Sequence, residues 1–309
     1  MDELDRKVII ELQKDPRQRN NRLAALLRIS EHTVRRRIEN LISSGTLVPT
    51  ILPNLKMLGY PIRVYMLLEV EPLKLDEIRK QLLQIPNLGF VSRCIGLFKF
   101  YVRGDFTSIT AMINFNRDVL GKIQGINAIE TMVECQGFKN TYLLNRFSQL
   151  SGQVAPKFED ASVNEIDRQL IVQLQKNART PLKQLANVTG VSQVTISRHI
   201  KDLVNSKTIE FAVIPNIEDI GYPTIAYARI RTTPNMTNDV ANKIARFPQI
   251  HYVGIITGSA QILISIYGFS NNVISEFFTS ELNKIDGIIN IESFSFLDIL
   301  KQTFTWLSQ

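Results

Sequence analysis

The chain is written twice, and this constrains its fold more than any other feature. Residues 4–61 align without a gap on residues 166–223, at a constant offset of 162 and with 21 identities over 58 positions. Self-similarity of this length marks a duplicated structural unit. The matches include Asp5/Asp167, Arg6/Arg168, Arg17/Arg179, Leu23-Ala24/Leu185-Ala186, Ser30/Ser192, Arg36/Arg198 and Gly59-Tyr60-Pro61/Gly221-Tyr222-Pro223. Weaker matches continue through Pro86/Pro248, Gly96/Gly258 and Gly125/Gly287, with a local shift of two residues between Gly104 and Gly268. The 309 residues therefore read as two copies of one unit. Between the copies, residues 148–162 (SQLSGQVAPKFEDAS) lack apolar periodicity and hold a Gly and a Pro, which predicts a linker.

Each copy changes periodicity half-way. In the first copy Leu4, Val8, Ile9 and Leu12 recur at helical spacing, followed by Leu23, Leu26 and Leu27 and then by Val34, Ile38 and Leu41. Three helices are expected, the third opened by Ser30 in one copy and Ser192 in the other, both good N-caps. Thr46-Leu47-Val48 and Ile51-Leu52-Pro53, with Thr208-Ile209-Glu210 and Val213-Ile214-Pro215, predict a short two-stranded wing in each copy. Two short helices joined by Arg28-Ile29-Ser30 or Gly190-Val191-Ser192, behind a longer first helix, form a helix-turn-helix pattern.

The second halves alternate strand and helix in the order βαββαβ. The predicted elements are 63–70, 75–85, 90–95, 99–102, 109–120 and 126–135, then 224–230, 239–247, 252–256, 261–267, 273–285 and 288–296. That is a ferredoxin-like arrangement, whose antiparallel sheet carries helices on one face and leaves the other for a partner sheet. The fold class is α+β, with winged helix-turn-helix domains at 1–60 and 163–222 and ferredoxin-like domains at 61–147 and 223–309.

Composition narrows the function classes. A hydrophobic fraction of 44% with 21% charged residues is enough for sizeable cores and argues against disorder. The longest uncharged window, 247–275, is interrupted by polar residues, and the N-terminal Met1-Asp2-Glu3-Leu4-Asp5 lacks a signal-peptide pattern. A cytoplasmic protein without a membrane partner is expected. Cys94 and Cys135 match no zinc spacing and would lie on opposite sheet edges, so buried reduced thiols are expected, with no metal or cofactor. The net charge is +7, of which residues 1–50 and 163–212 carry +3 each. The excess sits on the two helix-turn-helix units, where it would meet phosphates of double-stranded DNA.

The third helix of each copy is the expected reading element. Opposite its apolar stripe lie Glu31, His32, Thr33, Arg35 and Arg36, with Arg37 beside them; their counterparts are Gln193, Val194, Thr195, Ser197, Arg198 and His199. Arg can make a bidentate bond to guanine, Gln to adenine, and Thr or Val can meet a thymine methyl, which suits the major groove. Ser30, Ser192, Arg17 and Arg179 complete the expected DNA-binding set. A plain solvated face is the alternative reading of Arg35-Arg36-Arg37.

These residues resemble the Lrp/AsnC, or feast/famine, transcriptional regulators. The resemblance rests on Leu4-Asp5-Arg6-Lys7-Val8-Ile9, Arg17, Leu23-Ala24, Ile29-Ser30, Val34, Arg37, Leu41, Gly45-Thr46-Leu47 and Gly59-Tyr60-Pro61. It implies an N-terminal winged DNA-binding domain and a C-terminal ferredoxin-like domain for assembly and amino-acid-type effectors, here fused in two copies. Two departures stand out at backbone turns: Arg28 stands where Gly190 does, and Lys207 where Gly45 does. His199 replaces Arg37, so the two heads are not equivalent.

The family's Gly-x-x-Asp turn between the middle strands is the implied effector site. It corresponds here to Gly96-Leu97-Phe98-Lys99 and to Gly258-Ser259-Ala260-Gln261, preceded by Thr257, and both lack the Asp. An α-amino group would lose its counter-charge there; Lys99 suits an acid and Gln261 a neutral polar ligand, unless both are ordinary outward strand residues. A homo-oligomer, a dimer of chains or larger, is also expected. The alternatives are a DNA-architectural protein of low sequence preference, and an enzyme resembling sirohaem decarboxylases, whose histidines here would have to be His32, His199 and His251.

Overall fold

In the computed structural model, residues 1–140 and 163–303 are described. The expected linker, 148–162, lies outside them. The first copy opens with α1 (Glu3–Lys14), α2 (Asn20–Leu27), α3 (Glu31–Ser43) and β1 (Leu47–Pro53). It continues with β2 (Ile62–Val70), α4 (Leu75–Gln84), β3 (Leu88–Cys94), β4 (Phe100–Phe106), α5 (Ile109–Asp118) and β5 (Ile126–Asn140). The second copy repeats the series: α6 (Glu165–Lys176), α7 (Leu182–Thr189), α8 (Gln193–Asn205) and β6 (Ile209–Pro215), then β7 (Thr224–Thr232), α9 (Thr237–Ala245), β8 (Ile250–Ile256), β9 (Ile262–Gly268), α10 (Asn271–Ser280) and β10 (Ile288–Gln302). Strands β4 and β9 keep the offset of 162, so the expected shift between Gly104 and Gly268 is absent; Gly104 corresponds to Ile266.

Helix starts follow local chemistry. Asp2 and Asn164 each close a capping box, with Asp5 and Asp167 reaching back to the cap backbone. Ser30 and Ser192 accept from the backbone N–H of Thr33 and Thr195 at 3.1 and 3.2 Å.

The wings differ from the sequence expectation. Each copy contributes one unbroken strand, and β1 pairs antiparallel with β6 of the other copy, Leu47 opposite Pro215 and Pro53 opposite Ile209. The residues expected to turn, Pro49 and Thr50, are instead extended. The Pro49 carbonyl points out of the two-stranded sheet, accepting from Ala178 N–H at 3.0 Å, so the missing proline N–H breaks no ladder bond. The exchange builds both head cores. Val213 packs with Val8, Leu12, Val34 and Ile38 of the first head, while Ile51 and Leu55 pack with Leu170, Leu174, Ile196 and Leu203 of the second.

The two ferredoxin-like sheets close on each other into one eight-stranded barrel, in the order β10-β3-β4-β2-β5-β8-β9-β7. Closure uses the far halves of the two long strands. β5 pairs with β8 from Glu134 to Asn140, and β10 pairs with β3 from Phe296 to Gln302. Along β2, Val64, Met66 and Leu68 face one core while Tyr65 and Leu67 face the barrel interior. The interior is filled by Tyr65, Phe90, Tyr101, Tyr252 and Leu263, with Tyr227, Phe294 and Phe296 against them. Tyr65 and Tyr252 both donate to Glu134 Oε2, at 2.8 and 2.6 Å, so one carboxylate ties the two copies together.

Cys94 and Cys135 lie on β3 and β5, the two edges of the first sheet, and both are free thiols. Cys94 is buried, which pushes its thiol up to about 12, whereas Cys135 is exposed, contrary to the expectation that both are buried.

Candidate nucleic-acid interface

The two third helices are presented in the same way. α3 buries Val34, Ile38 and Leu41 and α8 buries Ile196 and Leu203, leaving Glu31, His32, Arg35 and Arg36, and Gln193, Val194, Ser197 and Arg198, exposed. Val194 is 81% exposed. Arg36 and Arg198 make no ion pair among the described residues, and Arg35 makes only a 4.0 Å contact with Glu39. Thr33 and Thr195 are half-buried, each hydroxyl bonded to its capping serine, Ser30 or Ser192, at 2.8 and 3.0 Å.

Four other residues of the expected DNA-binding set make contacts within the fold. Arg37 donates to Asp2 at 2.8 Å and Asp5 at 2.6 Å, and these hydrogen bonds to carboxylates hold its guanidinium above the ordinary arginine range. Its counterpart His199 bonds through Nδ1 to Asp167 at 2.7 Å. Each is half-buried and clamps its third helix to the first helix of the same head. Arg17 and Arg179 reach across to the opposite head. Arg17 donates to the Thr180 carbonyl at 3.3 Å, and Arg179 to the carbonyls of Pro16 and Gln18 at 2.9 and 3.1 Å and to Asn20 Oδ1 at 2.9 Å. Two further reciprocal bonds, Asn54 N–H to the Thr208 carbonyl and Asn216 N–H to the Thr46 carbonyl, both at 2.8 Å, mark a pseudo-two-fold relation between the heads.

The expected effector turns lie on the seams of the barrel. Gly96 and Gly258 adopt φ of 119° and 118°, which explains glycine at both. The Lys99 ammonium folds back on the Gly96 carbonyl at 2.6 Å, leaving Ile95 and Leu97 exposed and Phe98 against the interior cluster. The second turn is docked on β5. Thr257 Oγ1 accepts from Val133 N–H at 3.0 Å, Ser259 donates to Glu130 at 3.0 Å, Ala260 is buried, and Gln261 Oε1 accepts from Thr232 N–H at 3.0 Å. Lys99 Nζ and Gln261 Oε1 are thus each engaged within the fold. Arg229, which the sequence reading passed over inside an apolar strand, is buried between Glu130 and Glu292 beside this turn.

A fold with paired helix-turn-helix heads above a sheet barrel defines a class, and sequence comparison narrows it. The AsnC-type helix-turn-helix domain matches residues 1–42, a winged helix-turn-helix DNA-binding domain matches 163–210, and the Lrp/AsnC ligand binding domain matches 225–306. The HTH-type transcriptional regulator FL11 of Pyrococcus abyssi is 30% identical over 141 residues, 45% of this chain and 91% of that protein. FL11 of Pyrococcus furiosus is 28% identical over 142 residues, 46% of this chain and 93% of that protein. The chain belongs to the Lrp/AsnC family of transcriptional regulators. Among solved structures, the siroheme decarboxylase NirDL matches 97% of this chain and 92% of its own with a TM-score of 0.70. At 13% identity that likeness shows the fold alone. No helix among the described residues is long and apolar enough to cross a membrane.

Proposed function

We propose that this chain is a sequence-specific DNA-binding regulator whose two unlike heads read the halves of an imperfect palindrome. The observation that carries it is the matched exposure of α3 and α8, with Arg36 and Arg198 unpaired, on heads joined by the shared β1–β6 sheet. Such a pair suits half-sites about 34 Å apart, one helical turn, or a multiple of it. The reading sets differ: Glu31, His32, Arg35 and Arg36 against Gln193, Val194, Ser197 and Arg198. Replacing Arg35 and Arg36 with Ala is expected to weaken footprint protection at one half-site at least tenfold more than at the other, given about 1–3 kcal/mol per lost base contact. Equal loss at both half-sites contradicts unlike heads. A specific-to-nonspecific affinity ratio near one at defined salt favours an architectural role instead.

The regulator reading is preferred over an enzyme because the relatives are named as regulators and the three histidines are dispersed. His32 is on the exposed face of α3, His199 is bonded to Asp167, and His251 is stacked on Tyr267 in the second sheet. Assembly of chains into a homo-oligomer belongs to the same proposal. Barrel closure leaves the two ferredoxin-like sheets no free edge, so further association of that part is expected through helices and turns, where Leu97, Ile109 and Ile113 are exposed. A cytoplasmic location and a small effector acting near the two turns complete the reading.

A further inference from the structure

Where the two heads meet, a polar pocket is lined by Arg17, Gln18, Arg19, Asn20, Asn21 and Glu31 of the first copy and Arg179 of the second. Two guanidiniums meet there without a direct ion pair. Arg17 and Arg179 donate only to carbonyl groups and make no ion pair within 4 Å among the described residues. The Asp15 carboxylate close by is used by the backbone N–H of Arg17, at 3.2 Å. Burial holds Arg17 below the ordinary arginine range; Arg179 is lowered by burial and then by the charge of Arg17, against a smaller opposing pull from Asp15. Two buried polar atoms have no hydrogen-bond partner: Arg17 Nη1 and Gln18 Oε1, the latter on a side chain only 5% exposed. A carboxamide turned by half a revolution presents two donors in place of its oxygen. The first turn of α2 borders the pocket; its N-cap, Arg19, makes no side-chain cap, and Asn21 Oδ1 accepts from the Arg22 N–H at 2.7 Å, which leaves the Asn20 and Asn21 N–H groups without a side-chain acceptor.

We propose that this pocket is an oxyanion site that binds a phosphate group between the two heads. Neighbouring arginines, an unpartnered buried carboxamide and the Asn20 and Asn21 N–H groups together offer the charge and donors that a tetrahedral anion takes up. Glu31 at the margin and Asp15 close by subtract two charges from the three arginines and leave the pocket with one net positive charge. The site is one-sided: at the equivalent positions of the second copy stand Thr180, Pro181, Leu182, Lys183 and Gln193, which do not reproduce the donor set. Because Glu31 also opens the reading helix α3, the occupant is either a backbone phosphate of bound DNA or a free phosphate-bearing anion. The DNA source rests on the proposed function; the site itself does not.

The first measurement is the melting temperature of the full chain titrated with inorganic phosphate, against chloride at equal ionic strength. A rise of about 2 °C is expected at phosphate near ten times its dissociation constant. It should vanish in both Arg17→Gln and Gln18→Leu and persist in Arg36→Ala. No rise, or a rise unchanged in a folded Gln18→Leu variant, overturns the site. The second measurement places neutral methylphosphonate linkages one at a time along the bound duplex. If a DNA phosphate is the occupant, one central linkage weakens the unmodified protein several-fold but not Gln18→Leu, and inorganic phosphate competes with DNA. If every linkage affects both proteins alike while the melting shift stands, the occupant is a free anion. A chain that binds no DNA yet shows the melting shift refutes the regulator reading and keeps the oxyanion site.

Discussion

At two backbone positions a copy that lacks glycine has been forced into a conformation that glycine adopts freely. The residue ending the second helix is Gly190 in one copy, with φ of 73°, and Arg28 in the other, with φ of 55°. After the third helix the roles reverse: Gly45 has φ of 76° and Lys207 has φ of 61°. A left-handed L-residue costs roughly 1–2 kcal/mol, and glycine recovers most of this at the expense of unfolded-state entropy. Arg28→Gly and Lys207→Gly are therefore expected to stabilise the chain by about 0.5–1 kcal/mol each, read as an increased midpoint in urea. A Cβ added at Gly45 or Gly190 meets nothing within 4 Å, so Ala at those positions is expected to destabilise through φ alone. The sequence exposes all four positions, because the two copies annotate each other: a glycine in one points to the turn in the other. The roles of Arg17, Arg37, Arg179 and His199 were not so legible. A basic residue near a reading helix looks the same whether it faces solvent or reaches a carboxylate or carbonyl on another element.

Among the elements, β1 and β6 show how a short strand can belong to the other copy. Ile51 is wholly buried among α6, α7 and α8, not among the helices that precede it in the chain. Ile51→Ala is expected to cost about 2–4 kcal/mol. The loss should appear in hydrogen exchange as faster opening of α6 and α8, with α1 affected less; loosening confined to α1–α3 contradicts the exchange. The ends of β5 and β10 carry a matched pair of fasteners. Lys139 donates to the Phe247 carbonyl at 2.8 Å and Lys301 to the Ile85 carbonyl at 2.8 Å, each meeting the chain just beyond a helix of the other copy. Burial lowers Lys139 to about 8 from the ordinary 10.5. Between these values the unfolded chain holds the proton that the folded chain has released, so stability is expected to rise as pH climbs from about 8 to about 10.5. Denaturant midpoints measured across that window should lose part of their slope in Lys139→Met; an unchanged slope removes Lys139 as the cause.

For the whole molecule, duplication and fusion produce an object that neither copy makes alone. The barrel needs four strands from each copy, and each head core needs a strand from the other. With a protease site placed within residues 148–162, cleavage is expected to leave both halves together in size-exclusion chromatography at micromolar concentration. Dissociation into separate halves contradicts a shared barrel. Arg229, Glu130 and Glu292 reinforce the point, since an arginine of one copy is buried between carboxylates from both. Removing either carboxylate would leave a poorly compensated charge in the interior.

The sequence by itself determined the duplication, the βαββαβ order, the capped third helices and the concentration of charge on the heads. Each of these is written in local spacing or in residue identity. Tertiary structure alone decided which copy supplies each partner. The apolar residues within 46–48 and 51–53 mark strand-like segments, but do not tell that 47–53 runs as one strand whose hydrogen bonds go to 209–215 instead of to itself. Likewise the βαββαβ pattern ends each copy's last strand near the limit of its own sheet. Only the second sheet, supplying edges for residues 134–140 and 296–302, gives the backbone groups beyond that limit partners and makes the longer strands stable.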